Sequence, residues 1–274
     1  MERDGAGVLP QARTALLEHG RSAPVAIVLF HGLTNNPAQY ARLAPMLYER
    51  DVNVLVPRLP THGDRDRLTK APASLTAEML LSAAYEAVDI ACGLGERVAV
   101  LGISMGALLA AYLAQFRAIA LAVPVAPSFA LLHLPHPVSR FVARVGLRLP
   151  NRFLWWDPRV RADEPPLTAY PRFSTRALMQ SLRIGDAVYE ASARQPPLAE
   201  RIVTVVNRTD PAVNNHVAKR ISAAWSAGDP GHVSYVELRG LPHVHDIIDP
   251  QQPLARTGEV YPKLFEALGV SNSR

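Results

Sequence analysis

Gly102-Ile103-Ser104-Met105-Gly106 is the stretch whose reading decides the fold. Upstream, Arg97-Val98-Ala99-Val100-Leu101 is a short β-branched run of the kind that forms a buried strand. Downstream, residues 107–113 (Ala-Leu-Leu-Ala-Ala-Tyr-Leu) have strong helix propensity and no breaker. A serine therefore falls on the corner between a strand and a helix, with a glycine two residues to either side. So sharp a corner strains the serine backbone and leaves no room for side chains at the flanking positions. It also presents the hydroxyl at a helix N-terminus, whose partial positive charge favours anions. The pattern is that of a nucleophile elbow in the strand–turn–helix context its mechanics require. The plainer alternative is a glycine-softened turn whose serine caps the helix.

Working outward, residues 25–30 read Val-Ala-Ile-Val-Leu-Phe, apolar throughout as in a strand buried on both faces of a parallel sheet. They end in His31-Gly32-Leu33-Thr34, after which Pro37 and the periodic Tyr40, Leu43 and Leu47 announce a helix to about residue 50. Residues 52–56 form the next strand, and Pro57-Arg58-Leu59-Pro60-Thr61-His62-Gly63 a loop full of breakers. Residues 74–94 read as a long amphipathic helix and 118–125 as another apolar strand. Farther on come a strand at 201–207, a helix to about residue 227, a last strand at 232–238 and a terminal helix over about 254–268. Before Pro24 the pattern supports only a short strand or arm. Such alternation predicts one α/β domain over 1–274: a mostly parallel, doubly wound sheet flanked by helices, with its site at the C-terminal strand ends. His31, Pro57, Ser104 and Ala126 all fall there.

Residues 127–197 break the alternation. They are rich in proline, arginine and aromatics, among them Phe129, Phe141, Phe153, Trp155, Trp156, Tyr170, Phe173 and Tyr189. Helical stretches at 138–147 and 176–193 are separated by proline-rich joints. The segment is too long for a plain connection, so it is expected to be a helical lid or cap insertion roofing an acyl-chain pocket. The alternative is that its aromatics pack only its own underside.

The bulk composition excludes several classes. With 274 residues, 49% hydrophobic and 19% charged, the chain can bury a substantial core. Its net charge is +5, but arginine and lysine are scattered, without the basic stripe and interleaved aromatics of a nucleic-acid binder. Cys92 is the single cysteine, so no internal disulfide forms and no Cys/His zinc spacing occurs; it reads as a small buried apolar residue in a helix. No apolar run is long enough to span a bilayer, and residues 1–20 carry no secretory pattern, which makes the cytoplasm the expected location.

A serine nucleophile needs a base within hydrogen-bond reach, usually a histidine oriented by a carboxylate. In an open parallel sheet these partners follow later strands in the order serine, acid, histidine. Asp210 sits after one such strand, and His243 or His245 after the next. Residues 104–125 contain no competing acid, and Asp157 and Asp163 lie in the insertion. Asp210 is also a candidate helix cap. His243 is favoured as base because it comes first after the Leu241-Pro242 turn, leaving Val244 and Ile247 to pack inward; His245 is the reserve. His216 reads as a solvated helix residue, and His31 and His62 as structural histidines near the site. The oxyanion donors are expected to be the backbone amides of Met105, at the helix start, and Leu33, after Gly32.

Residues 25–63, 97–113, 203–213 and 238–249 resemble the α/β-hydrolase superfamily, in particular its bacterial carboxylesterase and monoacylglycerol-lipase branch. The likeness rests on His31-Gly32-Leu33-Thr34, the Gly-x-Ser-x-Gly stretch, Asp210-Pro211-Ala212-Val213 and His243-Val244, the last adding weight to His243. Thr61-His62-Gly63 departs from the branch's Gly-His-Gly-like turn. The resemblance implies an α/β-hydrolase fold and cofactor-free hydrolysis of carboxylic esters of short or medium acyl chains, or of monoglyceride-like lipids, through an acyl-enzyme. It implies a small-molecule ester as partner, with no cofactor or metal. Other readings on the same fold are amide or C–C hydrolysis, perhydrolysis, or a ligand-binding module without catalysis.

Overall fold

Ala23–Phe30 (β2) is the strand from which the sheet grows in both directions. Its continuous apolar run is explained by two buried faces: Ala26, Val28 and Phe30 enter one core, Ile27 and Leu29 the other. The structure is a computed structural model that describes residues 4–156, 168–228 and 231–270. Ala15–Leu17 (β1), Val52–Val56 (β3), Gly95–Ile103 (β4), Leu121–Val125 (β5), Ile202–Asn207 and Val233–Leu238 complete the main sheet. The insertion contributes its own two strands, Phe153–Trp155 (β6) and Arg172–Ser174 (β7), so the last two main strands are β8 and β9.

The seven strands run in the order β1-β3-β2-β4-β5-β8-β9. β1 pairs antiparallel with β3 at the edge, and every other pairing in this sheet is parallel. One face is covered by Ala77–Cys92 (α2) and Met105–Phe116 (α3), through Leu80, Val88, Leu108 and Leu113. The other is covered by Leu43–Tyr48 (α1) and the terminal helix Thr257–Leu268, through Leu43, Leu47, Val260 and Leu264. The first helix is shorter than expected because Pro37–Tyr40 forms a separate 3-10 turn ahead of it.

Within the insertion, His136–Gly146 (α4) and Thr175–Ser192 (α5) match the two expected helices. Between these helices, β6 and β7 form an antiparallel ribbon that the sequence pattern does not predict. The longer helix, α5, is anchored on the main domain: Ala177, Ile184 and Val188 join the core that holds α3, and a Cβ on Gly185 would lie 3.3 Å from Leu108 Cδ2. Residues 157–167 of the insertion, Asp157 and Asp163 among them, lie outside the described residues. The remaining helices are Asn215–Ser226 (α6) and Thr257–Leu268, which is α7. Cys92, expected to be buried, is exposed at the end of α2. No helix among the described residues is long and apolar enough to cross a membrane.

Candidate active site

Ser104 sits between β4 and α3 with φ 58° and ψ −115°, a strained backbone for a residue that carries a Cβ. Its side chain makes no capping bond to the helix, which removes the alternative reading of this serine as an N-cap. The two glycines are sterically required. A Cβ on Gly102 would stand 2.1 Å from Gly106 O, and one on Gly106 would stand 2.0 Å from Phe30 O. Ser104 N donates to Val125 O at 3.0 Å, tying the corner to the end of β5.

Asp210 follows β8, and its carboxylate is buried. Oδ1 accepts from the amides of Ala212 (2.8 Å) and Val213 (3.3 Å), so the residue also caps its own turn. Oδ2 lies 2.8 Å from Nδ1 of His245, the reserve candidate, whereas His243, the favoured one, is exposed. The backbone explains the difference. Asn207 Nδ2, at the end of β8, donates to the carbonyls of Pro242 and Val244 at 2.9 Å each. Thr209 Oγ1 donates to Leu241 O at 3.2 Å. Val244 N in turn donates to Pro242 O at 2.8 Å, a tight i to i+2 turn with His243 at its tip. His243 is thereby pushed into solvent, Val244 packs against the core, and His245 turns back to the acid.

Burial works against a charge on His245. The Asp210 carboxylate, by its charge and its hydrogen bond, and the charge of Asp246 outweigh it, so the imidazole pKa lies above its ordinary value. Nδ1 bonded to the acid leaves Nε2 as the ring's free nitrogen.

Leu33 and Gly32 form the facing loop. Gly32 N donates to Gln39 Oε1 at 2.9 Å, Gly32 O accepts from Asn35 N at 3.1 Å, and Leu33 O lies 2.7 Å from His62 Nε2. The Leu33 amide has no acceptor among the described residues, nor has the Met105 amide at the start of α3. Two backbone donors are thus left open where the oxyanion donors are expected. His31 and His62 are buried with their rings in edge contact at 4.9 Å. His31 accepts from Leu59 N at 3.1 Å, and burial and the neighbouring His62 hold its pKa well below the ordinary value. Burial lowers His62 as well, despite the carbonyls of Leu33 and Pro60 at its ring nitrogens. His216 is exposed on α6.

Ser104, Leu33 and His245 line one cavity of about 340 Å³. Its apolar walls include Trp156, Tyr170, Pro171 and Val244. The insertion is fastened to the loop after β2: Trp156 Nε1 donates to Thr34 Oγ1, Tyr170 N to Thr34 O, and Asn36 Nδ2 to Thr168 O, all at 2.8 Å. Gln39 and Asp246, which also line the cavity, carry no signal of their own in the sequence. Gln39 looks like one polar residue in a helical pattern, and Asp246 like a neighbour of a histidine pair. Among the described residues there is no group of three or more His, Cys, Asp or Glu side chains placed to hold a metal ion.

A parallel sheet with a strained serine elbow after its central strand is the framework of the α/β hydrolases. The chain belongs to the alpha/beta hydrolase family, whose model matches residues 27–257. Among solved structures it is similar to a monoacylglycerol lipase of Paleococcus ferrophilus, at 19% identity and TM-score 0.71 over 94% of this chain and 98% of that one. It is similar also to a soluble variant of monoglyceride lipase from Saccharomyces cerevisiae, at 12% identity and TM-score 0.69 over 93% and 89%. Est1E from Butyrivibrio proteoclasticus, in a structure with ferulic acid bound, shares 19% identity and TM-score 0.60 over 94% and 95%. At these identities the likeness is one of fold. Among curated proteins no sequence matches the chain.

Proposed function

We propose that this protein is a serine hydrolase of carboxylic esters in which Ser104 is the nucleophile, His245 the base and Asp210 the acid that orients it. The observation that carries the proposal is the 2.8 Å Asp210–His245 contact at the edge of the cavity that Ser104 also lines. His245 Nε2 takes the proton from Ser104 Oγ as the oxygen attacks the ester carbonyl. The tetrahedral oxyanion is stabilised by the Leu33 and Met105 amides, helped by the N-terminal end of α3. Imidazolium then protonates the leaving alcohol, and water repeats the sequence on the acyl-enzyme. The apolar wall of Trp156, Tyr170, Pro171 and Val244 suits an acyl chain, with the insertion acting as the lid of that pocket. The like fold of the monoacylglycerol and monoglyceride lipases supports a substrate of monoglyceride type, and the apolar wall an ester of short or medium acyl chain.

A fluorophosphonate probe tests this reading directly. Labelling at Ser104, with nitrophenyl ester turnover that Ser104→Ala abolishes, is the expected result. An unlabelled serine or persistent turnover in the variant refutes it.

A further inference from the structure

Three side chains join the loop of the oxyanion donor to the loop of the base. Gly32 N donates to Gln39 Oε1 at 2.9 Å, and Gln39 Nε2 donates to Asp246 Oδ2 at 2.6 Å across 207 positions of sequence. Asn35 Nδ2 reaches the same Oδ2 at 3.2 Å. Asp246 Oδ1 is occupied by the amides of Ile248 and Asp249, both at 3.0 Å. Gln39 is buried, at 2% exposure, so water does not substitute for either of its partners. A Cβ built on Gly32 would lie 3.7 Å from Ser104 Cβ, which puts this chain of bonds beside the nucleophile.

The chain of bonds has a direction. A carboxylate offers only acceptors, whereas a glutamine amide offers an acceptor at one end and donors at the other. Asp246 therefore dictates which end of Gln39 faces it, and the remaining oxygen faces Gly32 N–H. With that amide consumed, the next one along, Leu33 N–H, is the donor left open to the cavity.

Resting on the ester-hydrolase reading, we infer that Gln39 and Asp246 are positioning residues. They hold the Leu33 amide in register with His245 by fixing the direction of one hydrogen-bond chain. Neither is asked to touch the reacting atoms; each acts through the Gly32–Leu33 backbone.

The test reverses that direction. In Gln39→Glu two carboxylates face one another with no donor between them. In Asp246→Asn either orientation of the new amide sets a donor against a donor, at Gln39 and Asn35 or at the amides of Ile248 and Asp249. Combining the two substitutions moves the carboxylate to position 39. There one oxygen accepts from Gly32 N–H and the other from the carboxamide introduced at position 246, with net charge unchanged; Asn35 Nδ2 gives up its bond to position 246 and keeps Asp249 Oδ2, at 3.4 Å, as acceptor. Turnover of a nitrophenyl ester is read on the alkaline plateau of the pH profile, where the imidazole is neutral. Each single variant should lower kcat about 10- to 100-fold with KM within about threefold, as for a displaced oxyanion donor. The double variant should recover to within about fivefold of the parent.

Singles with full kcat, or a double no better than the worse single, overturn the inference. So does a double that regains its urea midpoint but not its kcat, since the bond would then serve folding alone. If Gln39→Glu does not fold, Gln39→Met removes both bonds without adding charge; loss of kcat supports the inference and full kcat overturns it. A parent protein that neither turns over esters nor labels at Ser104 refutes the hydrolase reading itself. In that case the urea midpoints still report whether the two residues are coupled.

Discussion

Asp210 Oδ2 and His245 Nδ1 lie 2.8 Å apart although they are 35 positions apart in the sequence. The contact depends on Asn207, whose amide holds the carbonyls on both sides of His243 and thereby turns that residue out and His245 in. A histidine two positions earlier in the chain has no route to the acid without breaking both bonds.

Alanine replacement separates the two histidines. His245→Ala should lower kcat for a nitrophenyl ester by about 10⁴-fold or more, as loss of a triad base does. His243→Ala, at an exposed turn tip, should stay within about threefold of the parent. Initial-rate kinetics on the two variants, with circular dichroism to verify folding, decides it; the reverse order of effects refutes the assignment of His245.

The pH dependence follows from the charges around the ring. Only neutral imidazole accepts the serine proton, so with His245 as the proposed base activity should rise with pH through its pKa. Asp210 and Asp246 raise that pKa above 6.5, so the acid limb of kcat/KM should have its midpoint above that value. Asp210→Asn removes the stronger of these two carboxylate effects and should move the midpoint to lower pH. It should also reduce kcat by about 10⁴-fold, because the ring loses the partner that fixes its tautomer. A midpoint that does not move would mean that the carboxylate leaves the ring's titration untouched.

Much of this arrangement is legible in the sequence, and its limits have physical causes. The strand Val52–Val56 and the serine corner are readable because apolar runs and glycine spacing are local signals. The same holds for α4 and α5, which the periodicity places to within about two residues. The choice between His243 and His245 is not local. It turns on one i to i+2 turn and on bonds from Asn207, and no periodicity encodes either. The ribbon of β6 and β7 is only three residues a side, too short for alternation to register against a proline-rich background. Gln39 and Asp246 meet across 207 positions, so nothing in the neighbourhood of either announces the other.

Two glycine replacements should part in sign. A Cβ at position 106 would meet Phe30 O at 2.0 Å, a backbone atom in the middle of the sheet that has nowhere to go. Gly106→Ala should therefore cost at least about 3 kcal/mol in urea unfolding, or prevent folding. At Gly258, in the first turn of α7, a Cβ meets nothing within 4 Å. Gly258→Ala should stabilise by about 0.5 kcal/mol through reduced freedom of the unfolded chain. Equal effects at the two positions would show that the close approach of α3 to β2 does not exist.

Asp249 makes the stability of the fold depend on pH in a direction unusual for an acid. Its carboxyl is buried, at 1% exposure, and burial followed by the charge of Asp246 pushes its pKa up from 3.8 to about 6, against the pull of Gln251 N and Asn35. Between those two values the folded chain holds a proton that the unfolded chain has released. The stability this proton confers is complete below about pH 4 and is lost as pH rises through about 6. At about 1.4 kcal/mol per pH unit the loss comes to roughly 3 kcal/mol. Asp249→Asn cannot titrate, so it keeps a constant offset from the protonated parent. The difference in unfolding free energy between parent and variant should then shift by about 3 kcal/mol in the variant's favour from about pH 4 to about pH 7. Urea denaturation at half-unit intervals measures it. A difference that stays flat would show that Asp249 ionises as freely in the fold as outside it, and that its carboxyl is not shut away between Asn35 and Asp246.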